Sequence, residues 1–91
     1  MTAHSREEVR TAVVAALLAT QGNPGDPASV GEETAIGGAG LGISSLNVLQ
    51  ALVRIEDALG IVFDDRAVAE TPLSSVGTLV NLAVAAAAEG V

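Results

Sequence analysis

The sequence predicts an all-α protein, a small four-helix bundle with three long helices and one short helix. Apolar residues recur every three or four positions in three separate segments, as amphipathic helices require. The only strand-like run, residues 61–63, is short, and no second strand exists to pair with it. A chain of 91 residues makes one domain, so we expect a single domain over residues 1–91. The predicted helices span residues 6–20, 45–59, 65–70 and 75–89.

The first helix is predicted from a capping box at its start. Ser5 would cap the helix, and Glu8, three residues later, would return the hydrogen bond. One apolar stripe follows at helical spacing, formed by Val9, Val13, Ala16 and Leu17. The run Gln21-Gly22-Asn23-Pro24-Gly25 ends this helix, because glycine and proline break the pattern.

A long glycine-rich loop and a second helix come next. We expect residues 21–43 to form a loop without regular structure, with Ile36 and Leu41 turned toward the core. The second helix ends at Gly60 and carries two apolar stripes. The core stripe is Val48, Leu52, Ile55 and Leu59, and the second stripe is Leu46, Leu49 and Val53. A surface helix needs only one buried stripe, so the second is either buried in a small bundle or exposed to partner proteins.

The last third of the chain predicts two more helices. Phe63 packs inward from a loop, and Asp64 or Asp65 caps a short helix that Thr71-Pro72 ends. Ser74 or Ser75 caps the final helix, which Gly90 follows. Its predicted inner face consists of Val76, Leu79, Val80, Ala83 and Ala87.

Composition excludes several classes of function. Eleven acids stand against four arginines and no lysine, for a net charge of −7, which opposes nucleic-acid binding. Without lysine, and without GxGxxG spacing, the glycines of residues 38–42 are not a nucleotide-binding motif. No cysteine is present, His4 is the only histidine, and the adjacent acids Asp64 and Asp65 fit a helix cap. We therefore expect no catalytic residue and no metal site.

The same composition predicts where the protein resides. The longest apolar run near the N-terminus, residues 12–19, is far too short to span a membrane. The absence of cysteine favours a reducing compartment. We expect a cytoplasmic, monomeric protein without a membrane or nucleic-acid partner.

The stretch Leu41-Gly42-Ile43-Ser44-Ser45-Leu46, with the helix after it, resembles the attachment site of acyl and peptidyl carrier proteins. In that family a serine followed by Leu, Ile or Met carries a 4′-phosphopantetheine arm derived from coenzyme A, and the matching serine here is Ser45. The helix lengths, the long first loop and the acidic character agree with the family from about Val9 to the C-terminus. The resemblance implies a bundle of the acyl-carrier-protein type. Such a protein is not an enzyme but holds an intermediate as a thioester for other enzymes.

The sequence also differs from the usual family pattern at several positions. Ser44 stands where many acyl carriers have Asp, and Asn47, Gln50 and Arg54 stand where fatty-acid-synthase carriers usually have acids. These departures favour a discrete carrier of polyketide or nonribosomal-peptide biosynthesis. The alternatives are a fatty-acid-synthase carrier and an unmodified helical interaction module in which Ser44 is simply a cap.

The resemblance further implies the partners. A phosphopantetheinyl transferase would attach the arm to Ser45, and acyl- or aminoacyl-loading and synthase enzymes would then dock on the second helix. A groove between the second and third helices, lined by aliphatic residues and Phe63, would shelter the cargo. The implied docking residues are Leu46, Leu49, Val53, Glu56 and Asp57.

Overall fold

The computed structural model describes residues 5–21, 27–38 and 40–89. Its α-helices are α1 (Arg6–Gln21), α2 (Ser45–Leu59), α3 (Asp65–Glu70) and α4 (Val76–Glu89), with a 3-10 helix at Pro27–Ser29. The described part of the chain contains helices and no strand, which confirms the predicted helical bundle with one short member. The predicted helix break at residues 22–25 and the end of α4 beyond residue 89 lie outside the described residues.

Helix α1 is the centre of the bundle and packs against both α2 and α4. The predicted stripe is buried, but Val14 and Leu18 are buried as well, which the single predicted stripe missed. The reason is that a helix between two neighbours must bury a wider face than a helix with one neighbour. In α4, Val76, Leu79, Val80 and Ala83 are buried as predicted, Ala86 is buried as well, and the predicted Ala87 is half-buried against the core.

The two apolar stripes of α2 have different environments. In the core stripe, Val48, Leu52 and Ile55 are buried and Leu59 is half-buried. The second stripe lies in solvent. Gly60 ends the helix with a φ of 66°, and its N–H donates to the Glu56 carbonyl at 2.8 Å.

The described part of the predicted loop is irregular apart from the 3-10 helix, but hydrogen bonds that were not predicted fix it to the start of α4. The N–H of Ile36 donates to the Ser74 carbonyl at 3.1 Å, and the N–H of Val76 donates to the Thr34 carbonyl at 2.9 Å. Ile36 is buried and Leu41 is half-buried, as expected. These hydrogen bonds join segments some forty residues apart, so no local sequence pattern could predict them.

A tight approach within this loop requires glycine at one position. A Cβ atom on Gly40 would lie 2.0 Å from the Ala35 carbonyl oxygen, which no side chain could tolerate. The N–H of Leu41 donates to that same oxygen at 2.8 Å. The loop therefore turns back on itself just before the serine pair.

Glu32 connects the loop to α1 through an ion pair and to α4 through its backbone carbonyl. The Arg6 guanidinium lies 2.6 Å from a Glu32 carboxylate oxygen, and the Glu32 carbonyl accepts a hydrogen bond from the N–H of Gly77 at 2.7 Å. The hydrogen bond from Arg6 lowers the pKa of Glu32, and the same bond raises the pKa of Arg6.

The short helix α3 is positioned mainly by its flanks. Asp64 caps it by accepting the N–H of Arg66 at 3.3 Å, while Phe63 just before it is buried. None of the α3 residues is fully buried. At the next helix, Ser75 is the cap, accepting the N–H of Thr78 at 3.4 Å, so α4 begins one residue later than predicted.

Candidate functional site

The two adjacent serines have different structural roles. Ser44 is the N-cap of α2 in extended backbone conformation, and its Oγ accepts a hydrogen bond from the N–H of Asn47 at 3.3 Å. Ser45 is the first residue of α2 and is exposed. Its hydroxyl has no hydrogen-bond partner among the described residues. Ser44 therefore has a structural partner, whereas the Ser45 hydroxyl is open to reagents in solution.

The start of α2 also presents unpaired backbone donors. The N–H groups of Asn47 and Val48 bond to the side chain and the carbonyl of Ser44. Within the described chain, the N–H groups of Ser45 and Leu46 have no acceptor. These donors and the helix dipole favour a negative group attached at this end of the helix.

Contacts with the end of α1 hold the serine pair in place. The Asn47 side-chain amide donates to the Thr20 carbonyl at 3.3 Å, and the Gln21 amide donates to the Leu41 carbonyl. Ile43, just before the pair, is buried, and its N–H donates to the Ile36 carbonyl at 2.9 Å. The sequence identified Asn47 only as a missing acid. Its contact with α1 was not foreseen, because its partner lies 27 positions away in the chain.

An exposed apolar stripe runs from this site along α2. The side chains of Leu46, Leu49 and Val53 are 66%, 55% and 57% exposed. Together with Val62, they are the large apolar residues that the described part of the chain leaves in solvent. This surface begins one residue after Ser45, so a protein that contacts it would also reach the serine.

Two hollows flank Leu49. The hollow next to Ser45, here the serine-side hollow, has a volume of about 410 Å³ and is lined by Ile36, Gly37, Ile43, Ser45, Val48, Leu49 and Leu73. The second, here the α3-side hollow, lies between α2 and α3 and has a volume of about 510 Å³. Its walls are Leu49, Leu52, Val53, Glu56, Phe63, Asp65, Val68 and Ala69. A groove lined by aliphatic residues and Phe63 therefore lies between α2 and α3, and its use for cargo stays a prediction.

The two acids at the end of α2 are not equivalent. A Glu56 carboxylate oxygen accepts the N–H of Phe63 at 2.8 Å, and Glu56 is half-buried. Asp57 is exposed, and its carboxylate has no ion pair or hydrogen bond within the described chain. Of the two predicted docking charges, Asp57 alone is wholly available to a partner.

The described residues include no group of three His, Cys, Asp or Glu side chains that could hold a metal ion. None of the helices in this part combines the length and apolar character needed to cross a membrane. No family model, curated protein or solved structure matches the chain.

Proposed function

We propose that this protein is an acyl or peptidyl carrier that holds a biosynthetic intermediate on a 4′-phosphopantetheine arm at Ser45. The observation that carries the proposal is the exposed Ser45 hydroxyl, without a partner among the described residues, at the first turn of α2. This placement fits the residue match, in which Ser45 precedes Leu46. Ser44 suits the reaction less well, since its oxygen already serves as the helix cap.

The attachment reaction requires few chemical groups from the carrier itself. The Ser45 Oγ bonds to the phosphorus that bears pantetheine in coenzyme A, the diphosphate bond breaks, and adenosine bisphosphate leaves. The serine proton passes to a base of the transferase or to water, with Mg²⁺ supplied by that enzyme. The carrier contributes an accessible hydroxyl, and its free N–H groups at Ser45 and Leu46 stabilise the resulting phosphodiester. The helix dipole adds about 0.3–1 kcal/mol at an exposed site.

The thiol at the end of the arm supplies the chemistry, because it carries the cargo as a thioester. The chain's own residues offer a surface on which partner enzymes can dock, the exposed stripe Leu46, Leu49 and Val53. Asp57 lies on the same helix beyond this stripe and can pair with a cation of a partner. Such a small surface suits weak and rapid docking, as a carrier that visits several enzymes requires.

The assignment to polyketide or nonribosomal-peptide biosynthesis rests on the residues in the first three turns of α2. Gln50 and Arg54 are exposed, so their replacement of the usual acids changes what a partner contacts. Asn47 bears less on the pathway, because its contact with Thr20 accounts for it structurally. A fatty-acid-synthase carrier is the second candidate.

A different class of function also has an observation in its favour. The cap formed by Ser44 explains one of the two serines without any modification. If Ser45 is never modified, the exposed stripe of α2 makes the protein a helical interaction module. The two classes differ in whether the chain accepts the arm.

Intact mass spectrometry separates them. The purified protein is incubated with coenzyme A, Mg²⁺ and a broad-specificity phosphopantetheinyl transferase. We expect the wild type and Ser44→Ala to gain the mass of one arm, and Ser45→Ala to gain none. An unchanged mass for folded wild type would favour the interaction module, and loading of Ser45→Ala would contradict the site.

A further inference from the structure

The serine-side hollow is lined mainly by aliphatic side chains and begins at the proposed attachment residue. Apart from Ser45, its walls are aliphatic side chains and Gly37, with no charged residue among them. Any group attached to the Ser45 oxygen is therefore tethered at the edge of this hollow. The group that occupies the hollow is therefore identified from its attachment to Ser45, and not from the shape of the hollow alone.

The wall opposite α2 is already formed. Ile36 and Ile43 line this wall and are only 1% and 5% exposed, and the N–H of Ile43 donates to the Ile36 carbonyl at 2.9 Å. The N–H of Ile36 in turn donates to the Ser74 carbonyl at 3.1 Å, which fixes this wall to the segment that bears Leu73. Hydrogen bonds therefore hold the backbone of this wall in place before a ligand enters the hollow.

The chemistry of the arm matches this surface close to the tether. One CH2 group beyond its phosphate, the arm carries a carbon bearing two methyl groups; a hydroxyl-bearing carbon follows, and the amide groups come further along. The two methyl groups gain free energy by leaving water, and the serine-side hollow has Ser45 itself in its wall. The amides are better left in solvent, where their hydrogen bonds are satisfied.

We propose that the serine-side hollow is the seat of the dimethyl segment of the arm, with Ile36, Ile43 and Leu73 as its contacts. This inference rests on the proposed function. It differs from the expected shelter between α2 and α3, because the α3-side hollow does not include Ser45 among its walls. Leu49 borders both hollows, so an arm seated in the first passes over Leu49 to reach the second.

Isotope-filtered NMR tests the seat directly. The protein is produced with ¹³C-labelled Ile, Leu and Val methyl groups and loaded with the arm from unlabelled coenzyme A. We expect nuclear Overhauser effects from the two methyl groups of the arm to the methyl groups of Ile36, Ile43 and Leu73. Contacts only to Leu46, contacts only to Val68, or no contacts at all would overturn the inference.

Two matched variants sharpen the test. Leu73 and Val68 are both half-buried, and each lines a different one of the two hollows. Leu73→Ala should weaken the remaining contacts of the arm to Ile36 and Ile43, whereas Val68→Ala should leave them unchanged. Equal weakening in both variants, with circular dichroism showing both folded, would contradict a specific seat.

The mass of the NMR sample separates the two proposals. If the sample carries the arm but lacks these contacts, the seat is wrong and the carrier function stands. If the folded protein never accepts the arm, both the carrier function and the seat are wrong.

Discussion

At the scale of single residues, the two adjacent serines have separate roles: Ser44 caps α2, and Ser45 is the proposed attachment residue. Ser44→Ala removes the oxygen that accepts the Asn47 N–H, so we expect a loss of about 1 kcal/mol in the free energy of unfolding. Ser45→Ala removes an exposed hydroxyl without a partner in the described chain, so we expect a change within about 0.5 kcal/mol. Chemical denaturation measures both. An equal loss in the two variants would mean that the Ser45 hydroxyl also has a structural role.

The acids at the end of α2 allow a similar comparison. Glu56→Ala leaves the N–H of Phe63 without its acceptor beside a buried ring, and we expect a cost of about 1–3 kcal/mol. Asp57→Ala is the matched control, since Asp57 is exposed and lies where the helix dipole disfavours an acid. We expect that variant to stay within about 0.5 kcal/mol of wild type in thermal or chemical unfolding. Greater destabilisation by Asp57→Ala would contradict the structural role of Glu56.

At the scale of elements, one side of α2 packs in the core and the other side faces solvent. Leu52 is 7% exposed and Val53 is 57% exposed, although they are adjacent in sequence. Leu52→Asp should unfold the domain, because it buries a charge without a partner. Val53→Asp should change the melting temperature little but reduce transfer from a loaded arm to a cognate enzyme. Thermal melts of the two variants measure the difference in stability. Equal destabilisation would mean that both stripes belong to the core, and would contradict the proposed docking stripe.

The sequence predicted the helices far better than the loop. Helix boundaries depend on caps, breakers and periodicity within a few residues, and the cap at Ser44 and the end at Gly60 could be read from the chain. The buried Val14 could not, because it depends on α1 having two neighbouring helices. The same limit applied to the hydrogen bonds between the loop and α4, which join distant segments.

The residues of the candidate site also differ in how far the sequence could predict their roles. Ser45 could be selected from its local pattern, since Leu46 follows it and Ser44 precedes it as a cap. The contact of Asn47 with Thr20 and the contact of Glu56 with Phe63 could not be foreseen. The sequence predicted Glu56 as a docking charge and identified Asn47 only as a missing acid, but each side chain hydrogen-bonds to a backbone group outside its own helix.

At the scale of the whole molecule, the pair Arg6–Glu32 joins α1 to the loop at the residue whose carbonyl also bonds to α4. Arg6 lowers the pKa of Glu32 in the folded state, so the folded protein releases that proton more readily than the unfolded chain. The stability from the pair is therefore present above the ordinary pKa of a glutamate and is lost as the pH falls through the lowered value. We expect Glu32→Gln to lower the melting temperature at neutral pH, with the difference from wild type disappearing in acid.

Glu33 provides the control for this pH dependence, because it is exposed and forms no ion pair within the described residues. Glu33→Gln should follow the wild-type melting temperature across the same pH range. A difference between wild type and Glu32→Gln that stays constant down to strongly acidic pH would show that the charge of Glu32 is not what stabilises the junction.

The location of the arm tests the central claim most directly. The protein is loaded with coenzyme A and a broad-specificity transferase, and the intact chain is then fragmented in the mass spectrometer. We predict that cleavage between Ser44 and Ser45 leaves the added mass on the fragment that begins with Ser45. Added mass on the fragment that ends with Ser44, or no added mass on folded protein, would contradict the account.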